Sequence, residues 1–249
     1  MKIIYSSILG GVEIKNQKLI SKPFPNENEF LDVLNDYCKE RKKLVFISNR
    51  EENKIKKPKE KDEVFNDYFY SNKKYFKALK KNFKLSSLDF EKYVLVDENY
   101  KGNLKEEIAT ASLVYVQGGH TLRGLDFINK IKLKECLVGY KKLLFLHSTA
   151  TKILGGKKSV LSTLHGDIKN YKLDDGLGLK NYTIRPHFNF EILKGEDVKN
   201  KNRLKLIKKL SKNILVFGVS GESFIVDDDG MMEYFGECYS IFNEDIKKI

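Results

Sequence analysis

A chain of 249 residues, 41% of them hydrophobic, can fill one large core or two small ones. No run approaches the roughly 20 apolar residues that span a bilayer, and the opening "MKIIYSSILGG" lacks a signal-peptide pattern, so a soluble cytoplasmic protein with no membrane partner is expected. The net charge of +12 is almost all lysine, with arginine only at positions 41, 50, 123, 185 and 203; two-pronged reading of phosphates and bases favours arginine, which argues against a nucleic-acid partner.

In chain order, "KIIYSSI" (2–8) reads as the first strand. Phe30, Val33, Leu34 and Tyr37 form a helical stripe over 30–40, and "KLVFIS" (43–48) is a buried strand. The charged stretch 51–63, with Pro58, reads as a loop. Phe65, Tyr68, Phe69, Phe76 and Phe83 give the segment 64–83 one greasy helical face. A strand follows at 93–98, a helix at 104–111, and "LVYVQGG" (113–119) is a strand ending in two glycines. Thr121 is placed to cap a helix over 121–131, and "KKLLFLH" (141–147) is a further buried strand. "NYTIRPHFN" (181–189) alternates like a strand, and "RLKLIKKL" (203–210) is a basic amphipathic helix. Strands at 214–219, 223–226 and 231–235 complete the set, the last two joined by a tight "DDDG" turn. Apolar runs alternating with helices predict an α/β fold, a three-layer α/β/α sandwich on a mostly parallel central sheet. No repeat or linker divides the chain, so a single domain over 1–249 is expected.

Cys38, Cys136 and Cys238 are far apart and odd in number, which suggests neither a disulfide framework nor a zinc site. The four histidines, at 120, 147, 165 and 187, lack HxH or HExxH spacing, so no metal is expected. They do gather within residues 120–187, two of them after strand ends, where open α/β sheets place functional groups.

Between the strand "LLFLH" and a following helical pattern sits Ser148. A strand-to-helix elbow exposes a side-chain oxygen and aims backbone N–H groups at the same point. Its crowding favours small residues two positions away on either side; Ala150 fits, whereas Leu146 does not. His187 in "RPHFN" closes a strand and is the candidate base. Asp167, Asp174 and Asp175 lie between the two, in the order Ser…Asp…His that some hydrolases use. "QGGHT" (117–121) adds a glycine turn whose N–H groups could hold an oxyanion.

Four segments make this pattern specific. "VYVQGGHTLRGLDFI" resembles the "GGNT" segment of the serine peptidases related to aspartyl dipeptidase (peptidase E) and cyanophycinase. "LLFLHSTATKILGG" stands where that family has its "GxSAGA" elbow. "LDDGLGLKNYTIRPHFN" is similar to its "DGLGL…PHF" segment, and "SGESFIVDDDGMMEYFG" to its C-terminal hairpin. The segments keep the family's order over 113–236. The resemblance implies a class I glutamine-amidotransferase-like fold and a serine peptidase acting on small or acidic peptides, with no cofactor, as a monomer or homodimer. It makes Ser148 the nucleophile, His187 the base and Asp167 the acid, with Gly118, Gly119 and His120 forming the oxyanion turn. Arg203, the one arginine downstream of His187, would hold an acidic substrate residue.

The chain also departs from the pattern. "SAGA" has become "STAT", the glycine two before the serine is Leu146, and the asparagine of "GGNT" is His120. Counting back from His187, the family's acid position falls near His165, two residues before Asp167. The altered elbow supports a second expectation, a catalytically degenerate member that binds a small ligand or protein partner.

Overall fold

The computed structural model describes residues 1–8, 10, 12–15, 18–48, 72–119, 121–154, 160–163, 171–195 and 198–249. Strand β1 (Lys2–Ser6) is followed by a hairpin, β2 (Val12–Lys15) and β3 (Lys18–Ser21), then helix α1 (Phe30–Tyr37) and β4 (Lys43–Ile47). Helix α2 (Asn72–Leu85), β5 (Lys92–Val96), α3 (Leu104–Ala109), β6 (Leu113–Val116), α4 (Thr121–Lys130) and α5 (Leu133–Cys136) lead to β7 (Leu143–His147). Helix α6 (Thr149–Leu154) comes next, followed by β8 (Val160–Thr163), β9 (Tyr171–Asp174) and β10 (Tyr182–Pro186). Then come α7 (Phe190–Lys194), α8 (Val198–Ser211), β11 (Leu215–Val219), β12 (Phe224–Asp228), β13 (Met231–Phe235), β14 (Cys238–Phe242) and β15 (Asp245–Lys248). The 64–71 part of the expected aromatic helix and the loop at 51–63 lie outside the described residues.

Seven strands form the central sheet in the order β13-β12-β1-β7-β6-β4-β5. From β1 to β5 the pairing is parallel; β12 runs antiparallel to β1, and β13 to β12. Asp229 (φ 50°) and Gly230 (φ 104°) make the tight turn between those last two, the geometry that Asp-Gly favours in two-residue hairpins. Strand β7 is buried from Leu143 to Leu146 because both faces are covered, as parallel strands require. Leu144 and Leu146 face one apolar layer with Ile128 and Ile153, while Leu143 and Phe145 face another with Leu34 and Phe83. Helices on the two faces of a mostly parallel sheet make the α/β/α sandwich.

The central sheet does not take every strand. A second, four-stranded sheet has the order β10-β11-β14-β15, and its last strand, "DIKK", carries too little apolar sequence to stand out. Phe217, Val219 and Ile184 of this sheet join the apolar layer under β7, while Val216 and Ile241 pack with Ile207 and Leu210 of α8. Two short hairpins, β2-β3 and β8-β9, were not expected either. Cys38 and Cys238 are buried free thiols, and Cys136 is half-buried. Among the described residues no helix is long and apolar enough to cross a membrane.

Candidate active site

The carboxyl ends of the parallel strands lie level: Ser6 pairs with His147 across β1 and β7, and Val116 with Leu146 across β6 and β7. Polar residues begin there, with buried Ser7, Ser48 and Gln117 beyond their strands and Ser148 beyond β7. Ser48 Oγ donates to Gln117 Oε1 at 2.6 Å, which satisfies two buried polar groups within that edge.

Ser148 is the single residue between β7 and α6, and its φ is 53°. A side chain in this left-handed region is strained by on the order of 1–3 kcal/mol, so the surroundings must hold it there. The Ser148 N–H donates to Ser6 O at 2.8 Å, and Thr151 returns its N–H (3.0 Å) and hydroxyl (2.6 Å) to the Ser148 carbonyl. Leu146 does not crowd the turn, because its fully buried side chain points into the apolar layer with Ala150 and Ile153. The turn after the neighbouring strand β6 supplies the room instead. A Cβ on Gly118 would stand 2.6 Å from the His147 carbonyl oxygen, 2.7 Å from Ser148 Cβ and 2.8 Å from the Thr149 nitrogen. Gly118→Ala therefore has to push backbone, not a flexible side-chain end. We expect it to destabilise the fold by about 1–3 kcal/mol and to lower any Ser148-dependent turnover about 100-fold through misplacement alone. A thermal melt and a rate on the same sample check both; an unchanged rate would mean the elbow tolerates the shift.

His187 reaches this point from the second sheet. It follows Pro186 at the end of β10 with φ 58°, so the two facing residues Ser148 and His187 both hold left-handed backbone. Phe188 anchors the turn: it is fully buried, donates its N–H to Val219 O at 3.1 Å and lies flat against Gly218, where a Cβ would come within 2.4 Å of its ring. Asn189 then caps α7 by accepting the Ile192 N–H at 3.2 Å. The segment "PHFN" is thus both packing and presentation. It leaves His187 Nε2 at 2.8 Å from Ser148 Oγ.

The other ring nitrogen faces a residue that the sequence reading missed. Ser7 Oγ lies 3.3 Å from His187 Nδ1 and accepts the His187 backbone N–H at 2.8 Å. Asp167, like His120 and His165, lies outside the described residues, as does the side chain of Asp174. Asp175 is exposed. Among the described residues the ring pairs with the two serines and with no carboxylate. His147, next to the elbow, points the other way: it follows Leu143 and Phe145 on its strand face, and its Nδ1 lies 3.0 Å from the Tyr115 hydroxyl.

Positive charge surrounds the pair. Burial, then the charges of Lys152 and Arg203, hold the His187 imidazole below its ordinary 6.5. Lys152, one turn along α6, is lowered to about 7 by burial and by Arg185 and Arg203. Its ammonium donates to Thr121 Oγ1 at 3.4 Å. Thr121 is itself the first residue of α4 and does not precede the helix as a cap. Arg185 of β10 is 6% exposed, and its Nε and Nη2 make no hydrogen bond. Arg203 is exposed on α8. Of the expected site, then, Ser148, His187 and Gly118 come together, Arg203 stands within electrostatic reach, and Ser7, Lys152 and Arg185 are additions. Gly119 continues the chain from Gly118, half-buried.

No protein-family model and no curated protein matches the chain in sequence. Solved structures do match it in shape. A peptidase from an acI-B1 Actinobacterium superposes with a TM-score of 0.62 at 13% identity, covering 100% of this chain and 93% of that one. A Listeria monocytogenes EGD-e protein named as a peptidase E candidate superposes with a TM-score of 0.53 at 12% identity, covering 94% of this chain and 96% of the other. The likeness extends over the whole fold.

Proposed function

We propose that this chain, which has the fold of peptidase E-type peptidases, is itself a serine peptidase that hydrolyses small peptides carrying a carboxylate. The observation that carries the reading is the 2.8 Å approach of His187 Nε2 to the hydroxyl of a serine held at positive φ between strand and helix. In this reading the Ser148 oxygen attacks the scissile carbonyl while its proton passes to Nε2. The C–N bond then breaks, the same proton goes to the leaving amine, and water repeats the sequence on the acyl-enzyme. Gly118, packed against the elbow, and Gly119 after it would supply backbone N–H groups for the oxyanion, as expected of the glycine turn together with His120.

The cations argue for the substrate's charge. Arg185 is buried, and among the described residues its Nε and Nη2 have no hydrogen-bond partner; Lys152 lies within its field, and Arg203 stands at the rim. A substrate carboxylate entering there would gain charge-assisted hydrogen bonds worth about 1.5–3 kcal/mol each. A fluorophosphonate probe tests the nucleophile directly: the wild-type protein should label at Ser148, and an intact protein that stays unlabelled would sink the reading. That second outcome would favour the degenerate, ligand-binding alternative, which the altered elbow sequence supports.

A pH dependence follows. A base must be neutral to accept a proton, and His187 stays neutral below 6.5 because its folded value is depressed. The acid limb of kcat/KM is therefore expected below pH 6.5. Lys152 becomes charged below about 7, where His187 titrates, so Lys152→Met should move that limb upward toward 6.5. A limb that stays put in the variant would show that Lys152 does not act on the base.

A further inference from the structure

His187 is clamped between two hydroxyl groups, and only Ser148 has a part in the chemistry so far. Ser7 follows Ile3 and Tyr5 on the face of β1 that turns toward the layer beneath β7, which brings it under the β10 turn. It is fully buried, so no water competes for its oxygen. Among the described residues its two side-chain hydrogen bonds are both with His187, one from the backbone N–H at 2.8 Å and one with the ring Nδ1 at 3.3 Å.

We propose that Ser7 is the positioning residue of His187, an uncharged group that orients the ring and sets which nitrogen carries its proton. The proposal rests on the reading of Ser148 as nucleophile for its catalytic meaning, though not for its geometry. A serine hydroxyl has one proton to give and two lone pairs to offer. One lone pair is occupied by the His187 N–H. Two arrangements remain for the ring. If Nδ1 holds the proton and donates it to Ser7, Nε2 is bare and can accept the Ser148 proton. If Ser7 donates to a bare Nδ1, then Nε2 carries the proton and donates it to Ser148, and the pair is silent. A carboxylate can only accept, so it would enforce the first arrangement; a serine permits both.

The second arrangement gives the Ser7 proton an acceptor and is the resting state. Productive attack draws on the minor tautomer. As the Ser148 oxygen bonds to the substrate carbon, its proton moves to Nε2 and the carbonyl electron pair moves onto oxygen. The ring is then an imidazolium, stabilised through Nδ1–H by a hydroxyl dipole where a carboxylate would offer a full charge. Lys152 from α6 and Arg203 from α8 face the same ring and oppose that charge.

Protein labelled with 15N in its histidine rings tests this without any need for turnover, with the His187 signals identified by their loss in H187Q. In the wild type the Nε2-protonated form should dominate. S7D should transfer the proton to Nδ1, S7A should change the tautomer ratio, and S7T, which keeps the hydroxyl, should retain the wild-type spectrum. On a cleaved peptide, S7A should lower kcat about tenfold with KM unchanged, and S7T should restore it. A tautomer ratio identical in wild type, S7A and S7D would overturn the proposal, as would a wild-type ring protonated on Nδ1 at rest. Should S7A fail to fold, the wild-type and S7T spectra still decide. An unlabelled Ser148 in the fluorophosphonate test, beside a ring that obeys Ser7, would remove the peptidase reading and leave the positioning role standing.

Discussion

Ser148→Ala is expected to abolish peptide hydrolysis and leave the fold unchanged. The substitution removes one hydroxyl, half-buried at a turn, and its 2.8 Å contact with His187. The backbone bonds that hold the elbow, from Ser148 N–H to Ser6 and from Thr151 to the Ser148 carbonyl, do not involve the side chain. Alanine meets the same left-handed strain as serine, so stability should move by no more than about 0.5 kcal/mol. Turnover has no such reserve. Without Oγ there is no acyl-enzyme, and the rate should fall by about 10^4 to 10^6. A panel of dipeptides led by those with N-terminal Asp supplies the rates, and a thermal melt supplies the control. A folded S148A protein that cleaves as fast as its parent would make the serine structural and place the chemistry elsewhere.

The central sheet was legible because parallel strands buried on both faces leave continuous apolar runs, and "KLVFI", "LVYV" and "LLFLH" are all of that kind. The second sheet was less so. Strand β15 is exposed or half-exposed throughout and has a single apolar residue, Ile246, so it leaves no pattern. Site residues divide along the same line. Ser148 and His187 announce themselves by breaking apolar strands at their carboxyl ends. Ser7 stands in an equivalent position after β1, and the alternation Ile3, Tyr5, Ser7 places it on the His187 face. Yet "YSSI" offers no means of choosing between its two serines until the turn after β10 is docked against one of them. Leu146 misled because elbow crowding is usually relieved within the same segment. Here a glycine two residues beyond the adjacent strand relieves it, which only the folded packing reveals. Arg203 was named because it is the one arginine downstream of His187, whereas Arg185 stands two residues before that histidine and falls outside the search.

Arg185→Met should strengthen the fold and weaken the preference for acidic substrates, two effects of one buried charge. Arg185 is 6% exposed, and burial alone pulls its guanidinium down to about 10, so it remains charged at neutral pH. Its Nε and Nη2 have given up water without gaining a partner. An uncompensated buried charge costs several kcal/mol even after relaxation. Methionine keeps an unbranched apolar stem, ends short of the guanidinium and removes the charge. A gain of about 1–3 kcal/mol is expected, which for a chain of this size raises the melting temperature by roughly 2–4 °C per kcal/mol. The same exchange removes the donors that would meet a substrate carboxylate. The ratio of kcat/KM for an N-terminal Asp dipeptide over its Asn counterpart should drop about 10- to 100-fold, with the Asn peptide itself little affected. Residues kept against stability are commonly kept for function. A variant that melts lower than wild type would show that Arg185 is a structural post. One that melts higher yet keeps its acidic preference would move the carboxylate to Arg203, at the exposed rim.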